Sequence, residues 1–225
     1  MKNKTLTNIM IIIITSVIAM YLVDGVFHLS YLNKSIIKIS MFLLLPVAYS
    51  FYDKNILMKN YFTISNIKKL AFPFLLGLGV FVVIITTYFI LRNFIELDQI
   101  RRLLEVNANI NEDNFIFVAI YISFINSFLE EFFFRGFIFL NLLRLKSKWF
   151  AYIVSALSFS IYHIAFMSDW FSPALFILAM LGLFTGGVIF NYLNEKNKNI
   201  YASWIVHIMA NLSINTVGFM MFNLI

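Results

Sequence analysis

Two adjacent glutamates, Glu130 and Glu131, with Arg135 just beyond them and two histidines, His163 and His207, stand inside long apolar stretches of this 225-residue chain. Carboxylate and imidazole are the side chains that most readily move protons between water and a substrate. Glu131 and Arg135 are four apart, so on a helix they form an ion pair along one turn. Glu130 is rotated from Glu131 by about 100° and is less easily paired, which makes it the candidate reactive carboxylate. A carboxylate in a poorly solvated pocket, with a cation nearby, is poised to take a proton from water. The competing reading is a structural ion pair that ties helices together.

His163 lies one turn after Phe159, with Ser155, Ser158 and Ser160 close by. Ser203, His207, Asn211 and Asn215 recur every fourth residue, so they form one polar stripe on a helix. Such a stripe needs polar groups at comparable depth, and the segments carrying Glu130 and His163 hold them. Hydrogen bonding between helices would also explain it. Taken together, the carboxylate, two imidazoles and an amide suit amide hydrolysis. A carboxylate and an imidazole deprotonate a water, while the second imidazole and an asparagine amide donate to the oxyanion. Alternatively Glu130, His163 and His207 ligate zinc, which would activate a bound water. HExxH is absent.

The elements that position these residues follow from composition. Of the residues, 61% are apolar and 12% charged, and the mean hydropathy is +0.87, so the solvent for most of the chain is a bilayer. With no cysteine, disulfides, thiolate sites and a cysteine nucleophile are excluded. The net charge of +6 comes from scattered short groups rather than a basic stripe, which argues against a nucleic-acid partner.

A crossing helix needs about 20 mostly apolar residues. Seven stretches qualify, at roughly 8–27, 36–52, 70–92, 115–140, 149–167, 172–193 and 200–222. The fold class expected is therefore all-α, a polytopic transmembrane bundle of about seven spans forming one integral membrane domain over 1–225. The first stretch lacks a cleavage pattern and is read as a span rather than a signal peptide. Gly182, Gly186 and Gly187 in the sixth are put down to helix packing, and 53–69 and 93–113 are the polar loops.

Lysine and arginine bias places the N-terminus in the cytoplasm, with Lys2, Lys4, Lys54, Lys59, Arg144 and Lys146 inside and Lys34, Lys38, Arg92, Arg101 and Arg102 on the other face. Counted from the inner ends, Glu130 lies near mid-span, His163 deeper and His207 shallower, so a common site calls for tilt or a kink.

Glu130, Glu131 and Arg135 match EExxxR, Phe159 and His163 match FxxxH, and His207 and Asn211 match HxxxN. In this order on separate helices, they resemble the three signatures of the CPBP family, the CAAX proteases and bacteriocin-processing enzymes also called Abi proteins. The resemblance covers 115–222, the expected catalytic core, and leaves 1–114 as variable N-terminal spans. It implies an intramembrane endopeptidase with a cavity open toward the cytoplasm. Glu130 and His163 would activate water, His207 and Asn211 would serve the oxyanion, and Glu131 and Arg135 would support them. Members are commonly labelled metalloproteases, so the cofactor is zinc or none.

The implied partners are membrane lipid and a peptide or small membrane-associated protein, and a composition rich in Ile, Asn, Lys and Phe points to a bacterial cell membrane. Two other functions fit the same residues. One is an adaptor or bacteriocin self-immunity protein that holds a peptide in the same cavity. The other is a transporter with a proton relay, although no inverted repeat supports it.

Overall fold

The computed structural model describes residues 2–27, 29–64 and 66–225, with the side chains of Lys2 and Asn60 outside the described set. Among the described residues all regular structure is helical, and seven helices are long and apolar enough to cross a membrane. In chain order the principal helices are α1 (Lys2–Gly25), α2 (Tyr31–Tyr52), α3 (Ala71–Leu91), α4 (Leu97–Ala108), α5 (Phe115–Leu145), α6 (Lys148–Met167), α7 (Pro173–Asn197) and α8 (Tyr201–Met221). All but α4 are the helices long and apolar enough to be spans. The large apolar side chains left exposed, such as Ile14, Leu75, Val82, Ile90, Leu178 and Ile214, suit a hydrocarbon solvent.

Among the spans that run beyond their expected limits, two do so because polar residues are paired in the interior. Helix α2 begins at Tyr31 rather than near 36 because its first turns carry Lys34 and Lys38. Lys34 Nζ lies 3.4 Å from Asp24 of α1 and Lys38 Nζ 3.5 Å from Glu130 of α5, so these polar turns are buried by pairing rather than exposed. Helix α5 continues to Leu145 past Asn141, whose amide donates to the Tyr61 hydroxyl at 2.5 Å. The stretch 93–113, expected as a loop, contains the amphipathic helix α4. Its Ile100, Leu104 and Ala108 are buried in a cluster with Phe115 and Phe222, and Asn109 ends it in the left-handed conformation at φ 55°.

Helix α5 is the axis of the bundle. Every residue from Glu131 to Phe139 is buried, because α6, α7, α8, α2 and the turn Met58–Phe62 all pack against this stretch. Its helix is π-wound over Tyr121–Asn126 and again over Glu131–Leu140, flanking a single α turn at Ser127–Glu130. Such windings are uncommon and concentrate at functional sites. Glu130 and Glu131 stand at the junction of the α turn and the second π segment, and both are buried because neighbouring elements cover this stretch on all sides. A third π segment, Ser40–Leu44, precedes Pro46 in α2, where it accommodates a residue that can make no helical N–H bond.

Close packing is local. Only one of the three glycines of α7 is explained by it: a Cβ on Gly187 would come 3.0 Å from the Ala156 backbone, while Gly182 and Gly186 face open space. Gly136 of α5 lies under Tyr61, where a Cβ would sit 2.9 Å from the ring. Tyr61 is fully buried and its carbonyl accepts from the Ile200 amide at 3.0 Å, so the ring has little room to yield. Gly136→Val is expected to lower stability by about 1–3 kcal/mol, measured by thermal unfolding in detergent, with Gly186→Ala as a neutral comparison.

At the end of the bundle that holds the α1 N-terminus, Asp53 joins α1 to α2. Its carboxylate accepts from Thr5 Oγ1 and the Tyr49 hydroxyl, both at 2.7 Å, and from the Asn55 amide. Partial burial favours its neutral form, but these hydrogen bonds outweigh that and hold its pKa below the usual carboxylate range.

Candidate active site

The site is assembled by α5, α6 and α8, with one contribution from α2. Glu130, Glu131 and Arg135 are 2%, 0% and 0% exposed. Arg135 Nη1 lies 3.2 Å from Glu131 Oε1, so the ion pair expected along the helix is formed. The guanidinium also stacks on Phe159, 4.0 Å from the ring centroid, and on Phe190 at 4.8 Å. Phe159 touches the His163 ring on its other contacts, with centroids 4.7 Å apart, and the His207 ring at 5.8 Å. One phenylalanine thus separates the arginine from both imidazoles.

Glu131 serves α8. It accepts from Ser203 Oγ, and its Oε1 lies 2.9 Å from His207 Nδ1. An ionised carboxylate has no proton to give, so the Nδ1 position of His207 carries the hydrogen, and Nε2 is turned away toward Glu130. His163 is oriented in the same manner. Helix α6 breaks at this residue, leaving the Phe159 carbonyl 2.7 Å from Nδ1, which again leaves Nε2 to face Glu130. The two Nε2 atoms stand 3.9 Å (His163) and 3.7 Å (His207) from Glu130 Oε2. Both separations are too long for a direct hydrogen bond and short enough for one water to touch both groups.

The other oxygen of Glu130 is anchored. Oε1 accepts from Asn126 Nδ2 at 2.8 Å and from the Tyr162 hydroxyl at 3.3 Å, and Lys38 Nζ lies 3.5 Å away. Lys38, Asn126 and Tyr162 are the site members that sequence reasoning missed. Asn126 stands one turn before Glu130, and Tyr162 directly precedes His163, so spacing carried a signal for both. Read by charge bias alone, Lys38 is a loop cation on the non-cytoplasmic face. Its partner comes from a helix 88 residues away, a contact no local pattern contains. Lys38 and Arg135 bring one cation to each of the two carboxylates.

The polar stripe of α8 divides. Ser203 and His207 reach the carboxylates, whereas Asn211 Nδ2 donates to the Ile122 carbonyl at 3.0 Å and Asn215 Nδ2 to the Ala119 carbonyl at 3.1 Å. Ile122 belongs to the first π segment of α5. Asn211 therefore lies one turn beyond His207 with one amide hydrogen engaged and a second to offer. The expected mismatch of depths is removed by stagger. Ile200, at the start of α8, packs with Phe132, and α5 runs on from there to Leu145, so counting from helix ends compares unequal levels.

Zinc does not fit these residues as they stand. Among the described residues no group of three or more His, Cys, Asp or Glu side chains is arranged to hold a metal ion. Ligand atoms sharing a tetrahedral zinc at bonds of about 2.0–2.1 Å lie roughly 3.3 Å apart, closer than the separations from Glu130 Oε2 observed here. The Lys38 ammonium also stands where a dication would have to share the same carboxylate.

Seven apolar helices around a buried cluster of carboxylates and imidazoles mark an integral membrane protein. Residues 112–213 match the family described as Type II CAAX prenyl endopeptidase Rce1-like, which bears out the CAAX-protease-like resemblance carried by the three motifs. No curated protein and no solved structure gives a significant match.

Proposed function

We propose that this protein is an intramembrane endopeptidase that hydrolyses a peptide bond in a membrane-associated peptide or small protein. The observation that carries the reading is the convergence of Glu130 Oε2 with the Nε2 atoms of His163 and His207, each imidazole held from behind at Nδ1. A water held by Glu130 and His163 gives up a proton to them as its oxygen bonds to the scissile carbonyl carbon. The oxyanion so formed is met by the free amide hydrogen of Asn211 and by His207, whose Nε2 donates once Glu130 has passed to it the proton taken from water. Collapse breaks the C–N bond, and the proton taken from water passes to the leaving amine. Glu131 and Arg135 position His207 and Phe159. The proton on the site and the negative charge on the oxyanion cancel, so total charge is unchanged through the step.

The core is 115–222, and 1–114 supplies flanking spans and one site residue. The N-terminus faces the cytoplasm, on the lysine and arginine bias of the loops. The family match supports a peptide-type substrate in lipid.

The test is cleavage of fluorescence-quenched hydrophobic peptides, with and without a C-terminal prenylated cysteine, by the purified protein in detergent. Cleavage that survives phenanthroline is expected. Activity lost with the chelator and restored by zinc would replace residue-activated water with a metal site, and an absence of cleavage across the panel would favour the adaptor reading.

A further inference from the structure

The spans before residue 112 lie outside the matched family segment and carry none of the three motifs. One residue there nevertheless reaches the site. Lys38 Nζ donates to Asn126 Oδ1 at 2.6 Å, lies 3.5 Å from Glu130 Oε1 and stands over the Tyr162 ring at 5.1 Å from its centroid. Its side chain is 14% exposed. Resting on the hydrolase reading above, we propose that Lys38 is a positioning residue for Glu130, acting directly and through Asn126 to hold the carboxylate with one oxygen anchored and the other turned to the imidazoles.

The geometry of Asn126 is the reason. An amide has a donor end and an acceptor end, and either can face a neighbour. By donating to Oδ1, the ammonium fixes which end is which, so that Nδ2 is presented to Glu130 Oε1. Lys38, Asn126 and Tyr162 then occupy one side of the carboxylate, and Oε2 is left on the side of His163 and His207. Without the ammonium, the Asn126 oxygen loses its donor and Glu130 Oε1 loses the charge beside it, so both side chains are free to leave the rotamers that keep Oε1 away from the imidazoles. The carboxylate then rotates away from the attacking position, and a displacement of about 1 Å at a reacting group costs on the order of 100-fold in rate.

A merely structural counter-ion would sit in the same place, and the molecule contains a comparison. Lys34, one turn earlier on α2, pairs with Asp24 at 3.4 Å and is as deeply buried, yet it touches none of the site residues. Loss of either lysine removes an ion pair between helices, but only loss of Lys38 disturbs Glu130.

The experiment compares Lys38→Met, Lys38→Arg and Lys34→Met with wild type in the peptide-cleavage assay, alongside thermal unfolding of these proteins, Glu130→Gln and Lys38→Met/Glu130→Gln. Lys38→Met is expected to lower kcat by about 100-fold with KM changed by less than about twofold, and Lys38→Arg to recover part of it. Lys34→Met is expected to lose a similar number of degrees in Tm, roughly 5 °C, without a fall in kcat per folded molecule. The Lys38 and Glu130 substitutions are expected to be non-additive in Tm.

A kcat for Lys38→Met within about threefold of wild type, or equal losses at both lysines, overturns the proposal. If wild type cleaves nothing, the hydrolase reading fails on its own. Additive Tm shifts would then overturn the Lys38–Glu130 link as well, and non-additive ones would retain it.

Discussion

Glu130→Gln is expected to lower kcat by about 10³–10⁴-fold while leaving the protein folded and inserted. Glutamine keeps the length and planarity of the side chain. Its carbonyl oxygen accepts from Asn126 and Tyr162 as Glu130 Oε1 does, and its amide nitrogen occupies the place of Oε2, 3.9 and 3.7 Å from the imidazoles. What is lost is the ability to receive a proton from water. His163→Ala removes the other group on that water and is expected to cost about as much. The double variant should fall little further than either single one, because groups that act on one proton transfer are grossly non-additive. Quenched-peptide kinetics with size-exclusion profiles and melting curves make the measurement. Full activity in either single variant would remove Glu130 and His163 from the mechanism.

The second large effect is on stability. Arg135→Met is expected to destabilise the protein by about 3–5 kcal/mol, since it leaves the Glu131 carboxylate buried without its counter-charge. Both side chains are wholly inaccessible, so no solvent compensates the loss, and the guanidinium stack on Phe159 and Phe190 goes with it. Pairing the change with Glu131→Gln is expected to restore most of the loss. The neutral amide needs no counter-ion, and its oxygen still accepts from Ser203 or His207. Denaturant or thermal unfolding in one detergent checks both. An Arg135→Met protein as stable as wild type would show that the ion pair contributes nothing net, and an unrescued double variant would shift the weight to the aromatic stack.

Much of the architecture was legible in the chain, because insertion into lipid imposes a one-dimensional rule. A run of apolar residues long enough to cross the bilayer must form a helix that satisfies its own backbone, and seven such runs became seven spans. The rule gave wrong ends where polar residues are paired off in the interior: Lys34 and Lys38 shortened the second span on paper, and Asn141 the fourth. It also missed α4, whose apolar positions face protein rather than lipid and whose mean polarity resembles a loop.

For the candidate site, spacing alone determined what is local. The Glu131–Arg135 pair is one turn long, and the side of α8 that carries Ser203 and His207 follows from a four-residue period. Residue type and rarity singled out Glu130, His163 and His207, since an ionisable group in lipid needs a partner there. Which partner each one takes was decided only by the tertiary structure. The stagger of α5 against α8 sets which carboxylate meets which imidazole, and the elements packed all round α5 bury both glutamates together. Lys38 became part of the site only when α2 was laid against α5. A charge 92 residues from Glu130 by number reads as a loop cation until its distance to the carboxylate is known, because Coulomb attraction depends on separation in space and a sequence records only separation along the chain.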